Sequence, residues 1–292
     1  MSPASVKVPV DIEGRRLTLS NLQKVLYPQT GFAKAQVLDY YTRVSPFLLP
    51  HLRDRPLTRK RYPNGVDGGS FFEKNTPSHR PEWVRTATVA SPGSTRNRET
   101  IDYVVCDDLP TLVWVANLAS LELHTPMWRV STGLPDMMVV DLDPGPPATI
   151  VECCRVASLV RDATGLDWYA KTSGSKGLQL YTAVRDGRTS EQTSAEMKAL
   201  AERLEKEEPD LVVSRMTKAI RPGKVLLDWS QNSSAKTTVS VYSLRARPEH
   251  TVSTPVTWDE VEACRAPEDL VFRTDDVLAR VDEFGDLFAP LL

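Results

Sequence analysis

Residues 137–144 read Met-Met-Val-Val-Asp-Leu-Asp-Pro, an apolar run that ends in two carboxylates, Asp141 and Asp143. Four apolar residues followed by Asp-x-Asp predict a buried strand. Because successive side chains of a strand alternate between its faces, both acids point to the same side. Two neighbouring anions at a strand end favour a bound cation, although the same pattern is also typical of a solvated turn.

A second short apolar stretch, Val225-Leu226-Leu227-Asp228, also ends in an acid. Mg²⁺ and Mn²⁺ prefer oxygen ligands, and a pair of such ions can hold the oxygens of a phosphoryl transfer. Three carboxylates on adjacent strands, Asp141, Asp143 and Asp228, therefore predict a site for two divalent metal ions.

The order of predicted elements supports this interpretation. A strand over 137–142 is followed by a helix over about 149–163, strands over 167–171 and 178–183, a helix over about 190–207 and a strand over 224–229. This β-α-β-β-α-β order is that of the ferredoxin-like and RNA-recognition folds, in which the fourth strand lies beside the first. It brings Asp228 next to Asp141 and Asp143. The predicted fold class is α+β with a βαββαβ catalytic core.

The rest of the chain is predicted to complete one domain over residues 1–292. Residues 1–135 form an N-terminal α/β lobe, 136–250 the core, and 251–292 an acidic segment that packs back. Apolar periodicity predicts one or two helical turns over 22–27, a helix over 34–47 and a helix over 111–123.

Composition excludes several classes of protein. Charged residues at 25% and hydrophobic residues at 41% are ordinary for a globular chain. We find neither an apolar run of about 18 residues, as a transmembrane helix needs, nor the apolar core of a signal peptide. Four cysteines, two of them adjacent, form neither a disulfide framework nor a CxxC pattern. We expect a protein of the reduced cytoplasm with no membrane partner.

Charge is segregated along the chain although its net value is only −2. Residues 51–100 hold ten Lys and Arg against five acids, and residues 215–247 hold seven against one. Residues 251–292 hold three Arg against ten acids. This segregation predicts one face that binds a polyanion and another that faces solvent.

Two polar stretches carry groups suited to a nucleic acid and to phosphates. Arg59-Lys60-Arg61 precedes a Gly-rich loop and the adjacent pair Phe71-Phe72, and adjacent side chains of an extended segment cannot both enter one core. At least one ring is expected to be exposed for base stacking, unless the loop folds a ring beneath itself. Residues 173–177, Ser-Gly-Ser-Lys-Gly, resemble an anion nest but lack Walker A spacing.

Five motifs in this order resemble one family. They are LSNLQKVLYP (19–28), RKRYPNG with FFEK (59–65 and 71–74), VVDLDP (139–144), TSGSKGLQLY (172–181) and KVLLDWSQNSSAKTT (224–238). Together they resemble the polymerase domain of bacterial DNA ligase D, in the archaeo-eukaryotic primase superfamily. The resemblance runs over nearly the whole chain, from about Leu17 to Leu292.

The resemblance implies a role for each matching residue. Asp141, Asp143 and Asp228 would be the catalytic acids and hold two ions, Mn²⁺ or Mg²⁺. The nucleotide would be bound by Lys60, His124, Ser173, Lys176, Gln179, Lys236 and Arg245. The DNA would be bound by Asn21, Lys24 and Lys34 at a 5′-phosphate, by Phe71 and Phe72 through stacking, and by Arg61, Lys74 and Arg221 beside them.

One residue departs from the family pattern. The family usually has SGSKGLH, and this chain has Gln179 in place of that histidine. A glutamine can donate a hydrogen bond to a phosphate, but it carries no charge and does not titrate. We therefore expect triphosphate affinity and nucleotide preference to differ, whereas the three acids needed for activity are all present.

The implied function is a template-dependent primase-polymerase that extends a 3′-hydroxyl at gaps or broken ends during DNA repair, with ribonucleotides preferred. Its expected partners are gapped or broken double-stranded DNA with a 5′-phosphate, NTPs or dNTPs, and repair proteins such as a ligase or Ku near the nucleoid. Because no Lys-x-Asp-Gly ligase motif is found, we expect a stand-alone form. Two alternatives are a non-catalytic module that bridges DNA ends and a metal-dependent nuclease or phosphoesterase.

Overall fold

A computed structural model describes residues 7–91 and 99–292 of the chain. Its strands are β1 (Lys7–Ile12), β2 (Arg15–Ser20), β3 (Val25–Tyr27), β4 (Phe32–Ala33), β5 (Pro56–Arg61), β6 (Phe71–Glu73), β7 (Thr86–Ala90), β8 (Thr100–Val105), β9 (Ser120–Thr125), β10 (Met137–Pro144), β11 (Tyr169–Thr172), β12 (Leu178–Ala183), β13 (Val212–Val213), β14 (Val225–Asp228), β15 (Thr238–Val239) and β16 (Pro255–Val256). Its α-helices are α1 (Lys34–Leu52), α2 (Leu109–Asn117), α3 (Ile150–Thr164), α4 (Ser190–Glu207), α5 (Trp258–Ala263) and α6 (Thr274–Phe284).

One six-stranded sheet carries the predicted catalytic core, in the order β13-β14-β10-β12-β11-β16. The four central strands are the predicted βαββαβ unit, and its fourth strand, β14, pairs antiparallel with its first, β10. The predicted α+β class is confirmed. Strand β13 pairs parallel with β14 at one edge, and β16 pairs antiparallel with β11 at the other.

Strand β10 shows why the acids emerge where they do. Its side chains at 138, 140 and 142 enter a hydrophobic core shared with α3 and α4, whereas Met137 and Val139 enter a second core on the opposite face. Asp141 and Asp143 continue that second face by the alternation of a strand. Apolar packing therefore gives way to carboxylates along one face of a single strand.

The two helices that cover this sheet have strong local signals. Helix α3 begins at a capping box in which Thr149 and Glu152 bond each other's backbone N–H groups, and it ends at Gly165 in the left-handed conformation. Helix α4 begins at a matching box formed by Thr189 and Gln192. Both helices occupy the predicted ranges to within one or two residues.

The second large sheet has the order β15-β9-β5-β8-β7, with β6 paired to β5. Strand β15 comes from late in the chain, yet Thr238 and Val239 pair with Thr125 and His124 of β9. The chain thus passes from β14 of the catalytic sheet to the edge of the second sheet, and residues 237–239 line the same cavity as Asp141 and Asp143. Helices α1 and α2 pack on the N-terminal sheet and share its core.

One predicted helix is wrong and a second is right only in its first half. Residues 25–27 form β3, which pairs with β4, because Asn21 takes a left-handed conformation (φ 56°) and the chain turns back at Gly31. The helix predicted over 111–123 ends at Asn117, Ala119 has φ 57°, and β9 follows. A strand buried on both faces has no alternation, so its apolar run cannot be separated from a buried helix by periodicity alone.

Residues 251–292 pack against both cores. Strand β16 extends the catalytic sheet, and Val277 and Val281 of α6 enter the core beneath α1. Asp286 accepts a hydrogen bond from the hydroxyl of Tyr242 (2.7 Å) and pairs with His51 (2.8 Å). No helix in the described residues is long and apolar enough to cross a membrane.

A buried ion pair joins the two sheets at the start of β10. Arg55, which is 1% exposed, donates from Nη2 to both oxygens of Asp136 at 2.6 and 2.7 Å. Arg129 donates from Nε to the same carboxylate at 2.5 Å. Asp136 therefore fixes the entry of the catalytic strand to the N-terminal lobe.

We expect Asp136→Asn to lower the free energy of unfolding by about 3 kcal/mol, because it leaves the buried Arg55 guanidinium without a counter-charge. Urea denaturation followed by circular dichroism measures the loss. The matched control, Asp162→Asn on the exposed side of α3, should change stability by less than about 0.5 kcal/mol. Equal stability of the two variants would show that the Arg55 pair contributes nothing.

Candidate active site

Asp141 lies at the centre of the predicted site because β10 is paired on both sides. Its cross-strand neighbours are Gln179 on β12 and Asp228 on β14. Directly opposed residues of paired strands point to the same face of a sheet. The three predicted acids are therefore brought to one face, with Asp143 two residues further along β10.

Burial and the closeness of the carboxylates disfavour ionisation of Asp141 and Asp143. Burial and then the neighbouring Asp143 raise the pKa of Asp141. Burial also raises the pKa of Asp143, with the Arg221 guanidinium opposing that rise and Asp228 adding to it. The Arg221 Nη2 lies 3.9 Å from Asp143 Oδ2. A cation at these carboxylates would relieve their repulsion.

Arg221 reaches Asp143 because Gly145 has no side chain. A Cβ atom on Gly145 would lie 2.1 Å from the carbonyl oxygen of Arg221. The backbone N–H of Gly145 instead donates to the carbonyl of Lys224, and Gly223 donates back to Gly145. The segment that carries Arg221 is thereby held against the end of β10.

Asp228 differs from the other two acids in its contacts. It is 3% exposed, and its Oδ1 accepts hydrogen bonds from the backbone N–H and hydroxyl of Ser230. Its Oδ2 accepts from the amide of Gln231 at 2.8 Å. Over residues 7–91 and 99–292, no three His, Cys, Asp or Glu side chains are already grouped around a common metal position. Gln231, which the sequence did not single out, takes up one lone pair of Asp228 Oδ2, and the other lone pair of that oxygen is left for a metal ion.

A solvent-open cavity of about 250 Å³ is lined by Asp141 and Asp143 but not by the buried Asp228. Its lining includes seven of the predicted residues: His124, Asp141, Asp143, Ser173, Lys176, Gln179 and Arg245. Ser175, Gln231 and residues 237–239 complete the wall. A larger cavity, about 350 Å³, lies behind the 173–177 loop but is mainly apolar and contains no carboxylate. The polar cavity, which is lined by carboxylates and basic side chains, is therefore the candidate active site.

The 173–177 loop is more closed than a free anion nest. Ser173 Oγ accepts hydrogen bonds from the backbone N–H groups of Ser175 (3.2 Å) and Gly177 (3.1 Å). Those two groups point inward instead of toward the cavity. The hydroxyls of Ser173 and Ser175 and the exposed ammonium of Lys176 are donors that this loop offers to a phosphate.

Arg245 lies against the same loop. Gly174 has φ 65°, and a Cβ there would lie 2.6 Å from Cγ of Arg245. Glycine therefore both permits the turn and leaves room for the arginine. The Arg245 Nε is 3.7 Å from Oε1 of Glu122.

Glu122 is a buried acid that the sequence analysis missed. It pairs with Nε2 of His124 at 2.9 Å and accepts from the backbone N–H of Ala246 at 3.0 Å. Although burial alone would raise the pKa of Glu122, these contacts and Arg245 lower it to about 2. Burial lowers the pKa of His124. The only sequence signal is a glutamate between the apolar residues Leu121 and Leu123.

Gln179 is held by protein groups on both sides of its amide. Its Nε2 donates to Asp141 Oδ1 at 3.0 Å, and its Oε1 accepts from Lys171 Nζ at 2.5 Å and from the Tyr181 hydroxyl at 3.3 Å. From the sequence, Gln179 was expected to bind the nucleotide, and Lys171 was not singled out. The structure shows an additional contact of Gln179, with the acid at the centre of the site.

Three basic residues that were predicted to lie nearby are also outside the cavity wall. The ammonium of Lys60 lies 5.3 Å from the ring centroids of both Tyr62 and Phe72. Lys236 is exposed in the loop that precedes Thr237. Arg221 contacts Asp143 from the side.

The aromatic pair of β6 faces solvent. Phe71 is 46% exposed and Phe72 is 56% exposed, so the loop does not fold either ring beneath itself. Pairing of β6 with β5 places Arg61 opposite Phe71 and Lys60 opposite Phe72. The edge of Phe72 also meets His124, with ring centroids 5.6 Å apart. Lys74 follows β6 and is half-buried.

The hairpin β3–β4 brings the predicted phosphate-pocket residues together. The backbone N–H of Lys34 donates to the carbonyl of Lys24, whose own N–H donates to the carbonyl of Asn21, both at 2.9 Å. The Lys34 ammonium donates to the carbonyl of Ser20 at 2.6 Å. Burial, Lys24 and Arg61 lower the pKa of Lys34 to about 8. Three cationic side chains therefore influence one another at this corner.

Comparison with known proteins agrees with this geometry. The family model described as the LigD primase-polymerase domain matches residues 33–288. The multifunctional non-homologous end joining protein LigD of Mycolicibacterium smegmatis is 44% identical over 94% of the chain. The bifunctional LigD of Bacillus subtilis is 31% identical over 92%. The chain spans 36% and 43% of these two proteins.

A solved structure is similar over almost its full length. The polymerase domain of Mycobacterium tuberculosis ligase D in complex with DNA has a TM-score of 0.88 and 42% identity, covering 94% of this chain and 98% of that one. The resemblance found in the five motifs is therefore confirmed. This chain belongs to the family of LigD primase-polymerase domains, which are nucleotidyltransferases.

Proposed function

We propose that this protein extends the 3′-hydroxyl of a DNA strand at gaps or broken ends, copying a template and preferring ribonucleotides. The observation that carries the proposal is one cavity that sets Asp141 and Asp143 opposite Ser173, Lys176 and Arg245. Anionic ligands for metal ions and cationic groups for a triphosphate are the two requirements of nucleotidyl transfer. The relatives are named as end-joining proteins, and the similar structure is bound to DNA.

The residues present fit a divalent metal, which polymerase domains of this family require. Asp141 and Asp143 present carboxylate oxygens to the cavity, and burial together with a neighbouring carboxylate raises the pKa of each. We propose that these acids and Asp228 hold two ions, with Mn²⁺ preferred over Mg²⁺. When bound, such ions lower the pKa of the attacking hydroxyl and offset charge on the leaving pyrophosphate.

Side chains of this chain would position the nucleotide. Lys176 and Arg245 place positive charge at the triphosphate, and the Ser173 hydroxyl donates to it, with Lys60 and Lys236 adding charge from outside the wall. Glu122 orients both Arg245 and His124 from below. If neutral His124 donates its Nε2–H to Glu122, its Nδ1 is left as an acceptor for a sugar hydroxyl, which favours a ribonucleotide.

The DNA would lie across the exposed corner of the N-terminal sheet. Phe71 and Phe72 would stack on bases at the template break, with Arg61, Lys74 and Arg221 contacting phosphates beside them. Asn21, Lys24 and Lys34 would hold the 5′-phosphate of the downstream strand. A ligase or Ku would act on the same broken ends in the cell.

The direct test is primer extension on gapped DNA, with each rNTP and dNTP and with Mg²⁺ or Mn²⁺. Template-directed lengthening supports the proposal. Shortening of the labelled primer would instead identify a nuclease, and binding without any change in primer length would identify a bridging module.

We expect the double substitution Asp141→Ala and Asp143→Ala to abolish extension while DNA affinity changes less than about twofold, because these acids repel a polyanion unless cations are bound. Gel-based extension and fluorescence anisotropy measure the two quantities. Asp282→Ala, at an exposed acid of α6, is the control and should retain full extension. Extension above background by the double variant would contradict the assigned site.

We expect Lys24→Gln with Lys34→Gln to weaken binding to a 5′-phosphorylated gap more than to an unphosphorylated one, because a terminal monoester carries up to two charges. The salt slope of log K should fall by about 1.4 to 1.8, at roughly 0.7 to 0.9 per contact. Anisotropy across a salt series measures it, with Lys206→Gln on α4 as the control. Equal losses on both substrates would mean that no phosphate pocket exists here.

A pH series tests Lys34 separately. Because burial and neighbouring cations lower the pKa of Lys34 to about 8, the charged form dominates below that pH and is lost above it. The preference for the phosphorylated gap should therefore decline between about pH 7 and 9 in the wild type. Lys34→Arg, which stays charged, should keep the preference over that range. A preference in the wild type that does not change with pH would exclude Lys34 from phosphate recognition.

A further inference from the structure

Lys171 is a buried cationic side chain that the proposed reaction does not use. It lies on β11, opposite Gln179 of β12 and Pro255 of β16, and is 1% exposed. Its Nζ donates to Gln179 Oε1 at 2.5 Å and to Ser253 Oγ at 2.7 Å. The Ser253 hydroxyl donates onward to the carbonyl of Thr172 at 2.8 Å. The amine is thus fixed at two points inside the protein.

These contacts determine which way the amide of Gln179 faces. An amide has one accepting end and one donating end. Two donors, Lys171 and the Tyr181 hydroxyl, meet the oxygen, so the NH₂ group must face Asp141. The reversed amide would set its oxygen against the Asp141 carboxylate and its NH₂ against the amine of Lys171. A lysine amine has hydrogens to donate whether charged or neutral, so the orientation holds in both states.

We propose that Lys171 is a positioning residue for the active site, which acts through Gln179 to hold the Asp141 carboxylate with Oδ1 bonded to protein and its other oxygen left for a metal ion. This inference rests on the proposed role of Asp141 in metal binding. It also assigns a purpose to the departure at position 179. A glutamine oxygen has two lone pairs and accepts from both Lys171 and Tyr181, whereas an imidazole nitrogen has one.

The substitution Lys171→Met tests the inference, because methionine is similar in length to lysine but has no hydrogen-bond donor. We expect Lys171→Met to weaken Mn²⁺ binding to the nucleotide-free protein by about tenfold, the scale of lost support to a metal ligand. Electron paramagnetic resonance of free Mn²⁺ measures the affinity directly. The kcat for extension should fall by a similar factor at fixed Mn²⁺, with the KM for nucleotide changed less than about twofold. The melting temperature should change little, because the desolvation cost saved by removing a buried amine offsets the loss of a donor to the oxygens of Gln179 and Ser253.

A double-mutant cycle separates positioning from a direct effect of charge. In a Gln179→Leu background Lys171 has nothing to orient, so adding Lys171→Met should leave Mn²⁺ affinity unchanged. Ser253→Ala, which removes the second anchor of Nζ, should give a smaller loss than Lys171→Met. Lys198→Met, at a half-exposed lysine of α4, is the matched control and should bind Mn²⁺ like the wild type.

The outcomes distinguish failure of the positioning role of Lys171 from failure of the proposed metal site. Wild-type Mn²⁺ affinity in both Lys171→Met and Ser253→Ala would overturn the positioning role, as would an equal loss with and without Gln179. If Asp141→Asn does not reduce the Mn²⁺ binding of the wild-type protein, Asp141 is not a metal ligand. The proposed metal site is then wrong, and the positioning role of Lys171 is overturned with it.

Discussion

Repulsion among the carboxylates of Asp141, Asp143 and Asp228 is the constraint on which the site depends. Burying carboxylates and bringing like charges to one face of a sheet both cost free energy, and together they raise the pKa values of the two acids on β10. The surrounding contacts each offset part of that cost. Arg221 approaches Asp143, Gln179 donates to Asp141, and Ser230 and Gln231 donate to the oxygens of Asp228. Contacts within the protein thus stabilise the three carboxylates as neighbours.

Sequence alone predicted the catalytic sheet because its signals are local and its topology is constrained. Alternation along β10 set both acids on one face, and the helices predicted over 149–163 and 190–207 correspond to α3 and α4. The order of elements then required β14 to lie beside β10. Adjacency of Asp228 and Asp141 therefore followed from rules of chain connection, without any knowledge of side-chain contacts.

The parts that sequence missed depend on contacts between distant residues. Glu122 and Lys171 each place a charged group inside a buried strand, and one partner of each, Ala246 and Ser253, comes from a segment more than 80 residues away. Pairing of β15 with β9 is equally non-local, and it places His124 beside the cavity. A charged residue inside a buried strand was the available signal. It identifies a buried polar contact but not the partner, since periodicity carries no information about distant chain segments.

The hairpin β3–β4 is tied to Arg245 in the cavity wall by an interior hydrogen bond. The hydroxyl of the fully buried Tyr27 donates to the carbonyl of Arg245 at 3.1 Å. Under the proposed function, the lysines that hold one side of a gap and the arginine that holds the incoming nucleotide are thus linked through one packed core. Such a core would hold the two binding positions at a fixed distance from each other. Gap length would then be selected by rigid spacing, and a longer gap would fit only by looping out its template bases.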